Sequence, residues 1–166
     1  MKDKKNSLIL GIDPGTIVTG YGIIEVTSSH HNAIDYGAIR PPKEANNPEK
    51  YLIIFNSIEY LMDKFHPDAI SIETQFIGKN VSSTFKIVTA RAMAMLAAAK
   101  RNIPIFEYAP KKAKIAVVGH GSASKEQVQK MVQLLLKIPQ RDIPADASDA
   151  LALAICHAHT LRKNFR

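Results

Sequence analysis

The 166-residue sequence has no tryptophan, a single cysteine and few aromatic side chains, which make up 7% of its residues. Because Cys156 has no second cysteine to join, an internal disulfide is excluded, and its alanine-rich surroundings indicate a small packed residue rather than a nucleophile. No segment is both apolar and long enough to cross a bilayer, and the polar, basic start lacks the apolar core of a signal peptide. We therefore expect a soluble, cytoplasmic protein.

Acidic residues are in deficit. The chain carries 22 lysines and arginines against 15 aspartates and glutamates, which gives a net charge of +7. An excess of positive charge favours nucleic acid or another polyanion as the partner. The length is sufficient for one hydrophobic core, so we expect a single domain over residues 1–166.

Hydrophobic periodicity predicts three leading strands and then an alternation of helices and strands. The predicted strands cover residues 7–13, 19–27, 33–40, 69–73 and 102–108. The predicted helices cover residues 48–65, a long segment capped by Asn80 or Ser82, and residues 125–138 and 145–161. The pattern does not decide the structure of residues 111–121. This order predicts an α/β fold with a mixed five-stranded sheet flanked by helices.

Two of the predicted strands end in a carboxylate. Asp13 closes the run LILGID and Glu73 closes the run AISIE. Parallel strands joined by a right-handed crossover would bring both acids to the sheet edge where ligands bind. The last predicted helix adds Asp146 and Asp149, which are three residues apart and therefore on one helical face. Four converging carboxylates repel one another unless cations intervene, and their oxygens suit magnesium or manganese.

Each of these acids also fits a structural role. Asp13 precedes Pro14-Gly15 and suits a turn, Glu73 suits a strand end, and Asp146 suits a helix N-terminus. The compatible positions of all four acids favour a shared site over separate structural roles.

Several segments resemble the RuvC family of Holliday junction resolvases, in family order and over nearly the whole chain. The sequence LGIDPGTIVTGYGIIE resembles the opening signature of the family, with Asp13 in the place of its first catalytic carboxylate. Glu73 takes the place of the family's second catalytic carboxylate. Thr74 follows it directly, where the family commonly has a glutamine, and Gln75 comes next. The later matching segments are Ile72-Glu73 with Phe76 and Lys79-Asn80, then PIFEYAPKKAKIAVVGHGSASKEQVQKMV, and finally ADASDALALAICHAH.

The resemblance implies a ribonuclease H-like fold, a homodimer, and paired magnesium-dependent nicks across a four-way DNA junction that leave 5′-phosphate and 3′-hydroxyl ends. It implies that Asp13, Glu73, Asp146 and Asp149 hold two Mg²⁺ ions per subunit, with Mn²⁺ as a substitute. Asp13 is expected to bridge both ions. A branch-migration motor of the RuvA and RuvB type is the further partner that the family implies.

The resemblance also places several side chains near DNA. Phe76 is expected to stack on bases or wedge between them near the branch point, although covering the core is its structural alternative. Lys114 and Lys125 match positions that the family uses near DNA, and a solvated surface is their alternative. Further positive charge in the neighbouring segments comes from Lys79, Lys111 and Lys112.

The long helix has an apolar face that includes Phe85, Val88, Ala92, Leu96 and Ala99. Met93, Met95 and the alanines around them are more often explained by core packing than by a ligand site. The resemblance suggests the dimer interface as an alternative use of part of this helix, and the sequence does not separate the two uses.

The histidines are not assigned to the metal site. His157 and His159 do not lie three or four residues beyond Asp149, so we expect them to be structural or exposed. His120 stands between two glycines, which is compatible with a turn and with a loop near DNA.

Three other functions remain open. A nuclease of the same fold that cuts RNA or unbranched DNA would have the same carboxylates, and substrate preference discriminates it. An actin-like phosphotransferase has a similar Asp-Gly phosphate loop, and ATP hydrolysis would reveal it. A catalytically silent DNA-binding module is compatible with the basic charge, and the absence of nicking would identify it.

Overall fold

The computed structural model describes residues 6–74, 80–139 and 143–163. The five strands are β1 (Ser7–Asp13), β2 (Thr19–Val26), β3 (His31–Ile39), β4 (Ala69–Glu73) and β5 (Ile105–Tyr108). The helices are α1 (Asn47–Phe65), α2 (Val81–Lys100), α3 (Pro110–Val118), α4 (Lys125–Leu135) and α5 (Ala145–Lys163). The predicted mixed five-stranded sheet with flanking helices is confirmed. None of the helices in these ranges is long and apolar enough to span a membrane.

The strands form one sheet in the order β3-β2-β1-β4-β5. The meander β1-β2-β3 is antiparallel, whereas β4 pairs in parallel with both β1 and β5. Strands β1, β3, β4 and β5 therefore all run in one direction, and their carboxyl ends lie at the same edge of the sheet. Asp13 and Glu73 are the last residues of β1 and β4, so the topology places both acids at this edge.

Each face of the sheet is covered by its own hydrophobic layer. Successive residues of a strand point to opposite faces, so Ile9 packs with α3, α4 and α5, whereas Leu10 and Ile12 pack with α1 and α2. All three of these side chains are fully buried.

Helix α5 lies unusually close to the sheet. A Cβ atom at Gly11 would lie 1.9 Å from the carbonyl oxygen of Ala150, and one at Gly20 would lie 2.0 Å from that of Asp146. The Ser71 hydroxyl of β4 donates a buried hydrogen bond of 2.7 Å to the carbonyl oxygen of Leu153. The glycines and the serine together hold the first turns of α5 over the carboxyl edge.

Some predicted boundaries differ from the structure. Strand β5 begins at Ile105 rather than at residue 102, because Asn102 adopts a left-handed conformation (φ 54°) in the turn after α2. Residues 111–121, which the pattern left undecided, form most of α3, and Gly119 ends this helix in a left-handed conformation. Asn80 rather than Ser82 caps α2, with its side chain accepting a hydrogen bond from the Ser83 N–H.

The predicted apolar face of α2 does not point into the core. Phe85 is 67% exposed and Leu96 is 56% exposed. The buried face of the helix consists of small residues: Ala90, Ala94, Ala97 and Ala98. Core packing is therefore wrong for Phe85 and Leu96, whereas Met93 and the buried alanines do pack against the core.

Replacing Gly11 by alanine tests the close approach of α5. The new methyl group would overlap the Ala150 carbonyl oxygen, so we expect the free energy of unfolding in urea to fall by about 3 kcal/mol or more. Gly119→Ala is the control, because φ is +95° there but no atom lies within 4 Å of the added Cβ. That change should lower stability by only about 1 kcal/mol. An equal or smaller loss for Gly11→Ala would contradict the close approach.

Candidate active site

Acidic side chains from three separate elements surround a cavity at the carboxyl edge of the sheet. The cavity has a volume of about 360 Å³ and is lined by Asp13 of β1, Glu73 of β4 and Asp149 of α5. Asp146 is not part of the lining, but its charge acts on Asp13. The structure thus brings together carboxylates from three segments of the sequence, and these segments are 60 or more residues apart.

Asp13 has the most strongly perturbed acidity of the group. Burial raises the pKa of this carboxyl to about 7, and the negative charges of Glu73, Asp149 and Asp146 act in the same direction. The positive charge of Lys125 opposes them. Near neutral pH the Asp13 carboxyl therefore holds a proton for part of the time, unless another positive charge enters the cavity.

Two of the four carboxylates contact cations of the chain itself. Lys125 Nζ lies 3.4 Å from Asp149 Oδ2, and Arg40 Nη2 lies 3.7 Å from Asp146 Oδ2. Burial raises the pKa of Asp149, whereas the Lys125 charge lowers it, and the charge of Asp149 in turn raises the pKa of Lys125. These basic side chains partly neutralise the acidic cluster.

The carboxylates share a neighbourhood but are not gathered at one point. Within residues 6–74, 80–139 and 143–163, no three acidic, histidine or cysteine side chains are arranged as a ready ligand set for a metal ion. The two α5 acids instead contact Arg40 and Lys125.

Two of the predicted DNA-contact lysines line the same cavity. Lys114 of α3 donates a hydrogen bond of 3.0 Å to the Ala123 carbonyl oxygen, and Lys125 begins α4. Lys111 and Lys112 are exposed on α3, and the ammonium of Lys112 lies 4.9 Å from the centre of the Tyr108 ring. The structure therefore places Lys114 and Lys125 directly beside the acids.

The loop after β4 is only partly described. Phe76 and Lys79, which the sequence places near DNA, lie outside the described residues, as does Gln75. Thr74 donates its backbone N–H to the Tyr108 carbonyl oxygen, so it continues the pairing of β4 with β5. Within the described residues its buried hydroxyl has no hydrogen-bond partner.

His157 and His159 are packed against other rings of the fold. His157 is 1% exposed, its Nδ1 lies 2.8 Å from the Tyr108 hydroxyl, and its ring stacks on Phe106 with centroids 4.0 Å apart. Burial lowers its pKa, which favours the neutral ring. His159 is partly buried with its ring 5.7 Å from that of His31, and both positions are compatible with the expected structural or exposed role.

Arg40 lies beside Asp146, and no sequence pattern indicated this position. It follows β3 directly. Its position next to Asp146 depends on the strand order and on where α5 packs against the sheet. A basic residue at the end of a strand is a weak signal by itself. Only the meander topology, which returns β3 to the carboxyl edge, could have suggested it.

Comparisons with known proteins agree with this architecture. The family described as crossover junction endodeoxyribonuclease RuvC matches residues 9–157. A protein of that name from Protochlamydia amoebophila is 54% identical over 151 residues, which cover 91% of this chain and 90% of that protein. Another from Chlamydia caviae is 49% identical over 156 residues, with coverage of 92% and 93%.

A solved structure has the same fold over almost the whole length. Thermus thermophilus RuvC in complex with Holliday junction substrate superposes with a TM-score of 0.89 at 28% identity, and covers 95% of this chain and 96% of that one. The fold is therefore ribonuclease H-like, as the resemblance implied. With a family match across most of its length and relatives of about half identical sequence, this chain belongs to the RuvC family of crossover junction endodeoxyribonucleases.

Proposed function

We propose that this chain is a single-domain endonuclease that resolves four-way DNA junctions by paired symmetric nicks and leaves 5′-phosphate and 3′-hydroxyl ends. The observation that carries the proposal is the cavity in which Asp13, Glu73 and Asp149 lie beside two lysines. Membership of the RuvC family and the likeness to a RuvC solved with a Holliday junction support the substrate class. The net charge of +7 supports a polyanionic substrate.

We infer that Asp13, Glu73, Asp146 and Asp149 hold two Mg²⁺ ions per subunit, for which Mn²⁺ can substitute. The donor set fits, because hard divalent cations prefer carboxylate oxygens. The raised pKa of Asp13 also fits a cation site. The neighbouring acids make a negative charge on Asp13 unfavourable, and a bound cation would reduce this repulsion. When bound, such ions activate a water molecule and stabilise the leaving oxygen of a phosphodiester.

The chain's own groups prepare the site for this chemistry. Asp13 has the central position, because its charge interacts with those of the other three acids, and we propose that it bridges the two ions. Its carboxyl must release its proton when it becomes a ligand, so metal binding competes with protonation at this atom. The short strand-to-helix contacts keep these acids near one another before any ion binds.

The flanking side chains are assigned to DNA. Lys114 and Lys125 would contact phosphates next to the scissile bond, because both line the cavity and ammonium groups bind phosphate oxygens. The side chain of Lys125 is 73% exposed and can reach a phosphate from its place beside Asp149. Phe76 would stack on bases at the branch point and Lys79 would contact the backbone, as the family resemblance implies.

We propose that the protein acts as a homodimer through the exposed stripe of α2. This stripe consists of Val81, Phe85, Val88, Ala92 and Leu96, whose spacing of three or four residues places them on one helical face. Large apolar side chains in a contiguous exposed row are typical of an interface. A C2 dimer would present one site to each of two strands of like polarity in a two-fold symmetric junction.

Membership of the RuvC family also suggests where the enzyme works and with which partner. We propose a cytoplasmic enzyme that works beside a branch-migration motor of the RuvA and RuvB type. Four-way junctions are branched DNA, and a motor that moves the branch would bring new sequences to the two sites.

The first test is nicking by the Asp13→Asn variant. Loss of a shared metal ligand should lower the rate of magnesium-dependent nicking of a synthetic mobile junction by more than about a hundredfold. A hundredfold is the upper end of the loss seen when a residue that only supports a metal ligand is replaced. Junction binding should persist, because the change removes a negative charge beside the phosphates. Asp35→Asn, the same change in β3 outside the cavity, should leave the rate unaltered.

Parallel substrates separate the possible outcomes. Linear duplex, single-stranded DNA and an RNA–DNA hybrid are incubated beside the junction. Paired nicks confined to the junction are expected of the wild type. Cutting of the hybrid or the linear substrates instead would contradict the substrate class, and wild-type nicking by Asp13→Asn would contradict the assignment of the site.

The acidity of Asp13 predicts how stability depends on pH in the metal-free protein. A carboxyl whose pKa rises from 3.8 to about 7 on folding binds protons more tightly in the folded state. Stability should therefore fall as pH rises from 4 to 7, by roughly 4 kcal/mol at most. Urea unfolding at a series of pH values measures this decline.

The Asp13→Asn variant isolates the contribution of this group. It should lack most of the decline and should exceed the wild type in stability at pH 8 without metal. Glu44→Gln, the same kind of change in an exposed loop, should follow the wild-type curve. A decline in Asp13→Asn as steep as that of the wild type would show that Asp13 is not the group responsible.

The dimer is tested by Phe85→Glu. A charge in the middle of the α2 stripe should convert the dimer to monomer in sedimentation velocity, with the circular dichroism spectrum unchanged because Phe85 is 67% exposed. Leu134→Glu is the matched control, since Leu134 is 71% exposed on α4, on the other face of the sheet. A Phe85→Glu protein that stays dimeric would place the interface elsewhere.

A further inference from the structure

Arg40 has a defined position at the carboxyl edge of the sheet. Asp13 pairs with Gly20, and Ile39 pairs with Thr19, so Arg40 leaves β3 at the same edge as the acid at the end of β1. Pro41 follows and is buried. A residue before proline favours an extended backbone, so the Arg40 backbone has a defined position on the rim of the site, from which its long side chain can reach more than one partner.

The contact of Arg40 with Asp146 contributes little to folding. Their side chains are 58% and 37% exposed and the closest atoms are 3.7 Å apart. Ion pairs of this kind stabilise a protein by less than about 1 kcal/mol, because water screens them. The guanidinium is therefore able to exchange this partner for another anion without loss of the fold.

The acids are flanked by basic side chains on two sides. Lys114 and Lys125 reach the cavity from α3 and α4, which follow β5, one outer strand of the sheet. Arg40 follows β3, the other outer strand. A DNA strand with its scissile phosphate at the acids has phosphates on both sides of it, and the basic groups contact different acids of α5: Arg40 contacts Asp146 and Lys125 contacts Asp149.

We propose that Arg40 contacts the DNA phosphate on the β3 side of the scissile bond, and that Asp146 holds it until a divalent cation replaces it on that carboxylate. A guanidinium offers forked donors that match two phosphate oxygens. A doubly charged ion attracts the carboxylate more strongly than a singly charged guanidinium at similar distance. The proposal rests on the proposed function, because it requires Asp146 to be a metal ligand and DNA to be the substrate.

One consequence is a coupling between the two ligands. The ion that occupies Asp146 frees Arg40 for the phosphate, and a phosphate that holds Arg40 frees Asp146 for the ion. Metal and junction therefore each tighten the binding of the other, and by linkage the factor is the same in both directions. Arg40 is a positioning and substrate-binding residue in this scheme, not one that touches the reacting atoms.

The experiment compares the salt dependence of junction binding in Ca²⁺, which replaces Mg²⁺ to keep the junction uncut, and in EDTA. Loss of one phosphate contact reduces the slope of log affinity against log salt by about one unit. We expect this reduction for Arg40→Ala in Ca²⁺ and a smaller one in EDTA. Lys64→Ala removes one positive charge from the last turn of α1, at the opposite edge of the sheet, and should leave both slopes unchanged.

A second readout needs no DNA and no activity. Mn²⁺ binding to the DNA-free protein, followed by electron paramagnetic resonance, should be about two- to fivefold tighter in Arg40→Ala, because the ion no longer competes with an exposed ion pair. Arg40→Lys keeps the charge and should stay close to the wild-type Mn²⁺ affinity, while it loses the forked contact with the phosphate.

The outcomes are distinct. An unchanged slope in Ca²⁺ overturns the phosphate contact, and equal reductions in Ca²⁺ and EDTA with unaltered Mn²⁺ affinity overturn the release by metal. A wild-type protein that binds neither Mn²⁺ nor the junction refutes the proposed function, and this inference with it. The predicted pattern in the Arg40 variants, with normal behaviour of Lys64→Ala, supports it.

Discussion

The close contact between α5 and the first two strands is the constraint on which the site depends. Where β1 and β2 carry Gly11 and Gly20, carbonyl oxygens of the helix occupy the space that a Cβ atom would need. Interiors are too densely packed to absorb such an overlap. The glycines therefore set the height of α5 above the sheet, and this height brings Asp146 and Asp149 to the carboxyl edge beside Asp13 and Glu73.

The acidic cluster lowers the stability of the folded state. Burial and three neighbouring carboxylates raise the pKa of Asp13 to about 7, which means that its charged form is unfavourable in the folded protein. The adjacent layer compensates with fully buried apolar contacts of Ile9, Leu151 and Ile155 and with the hydrogen bond from Ser71 to α5. Such a conflict between local charge and stability is typical of functional sites.

Helix α2 shows why an apolar pattern does not reveal its own partner. Its larger side chains, Phe85 and Leu96 among them, form a periodic face that would suit a core equally well. The structure instead turns Ala90, Ala94 and Ala97 inward, where α2 packs against α1 and small side chains allow the two helices to approach closely. Which face is buried depends on the space left by neighbouring elements, and no local pattern encodes it.

The sequence alone determined β1 and β4 to the residue, because each is a short apolar run that ends at a carboxylate followed by polar or turn residues. The sequence also indicated that four distant acids could meet at one edge, but tertiary structure alone decided which other side chains became neighbours. Arg40 reaches Asp146 only because the meander returns β3 to the carboxyl edge, and His157 meets Tyr108 only because α5 crosses β5. The reason is physical: strands and helices follow from interactions within a few residues, whereas strand order and helix height arise from packing between segments far apart in the chain.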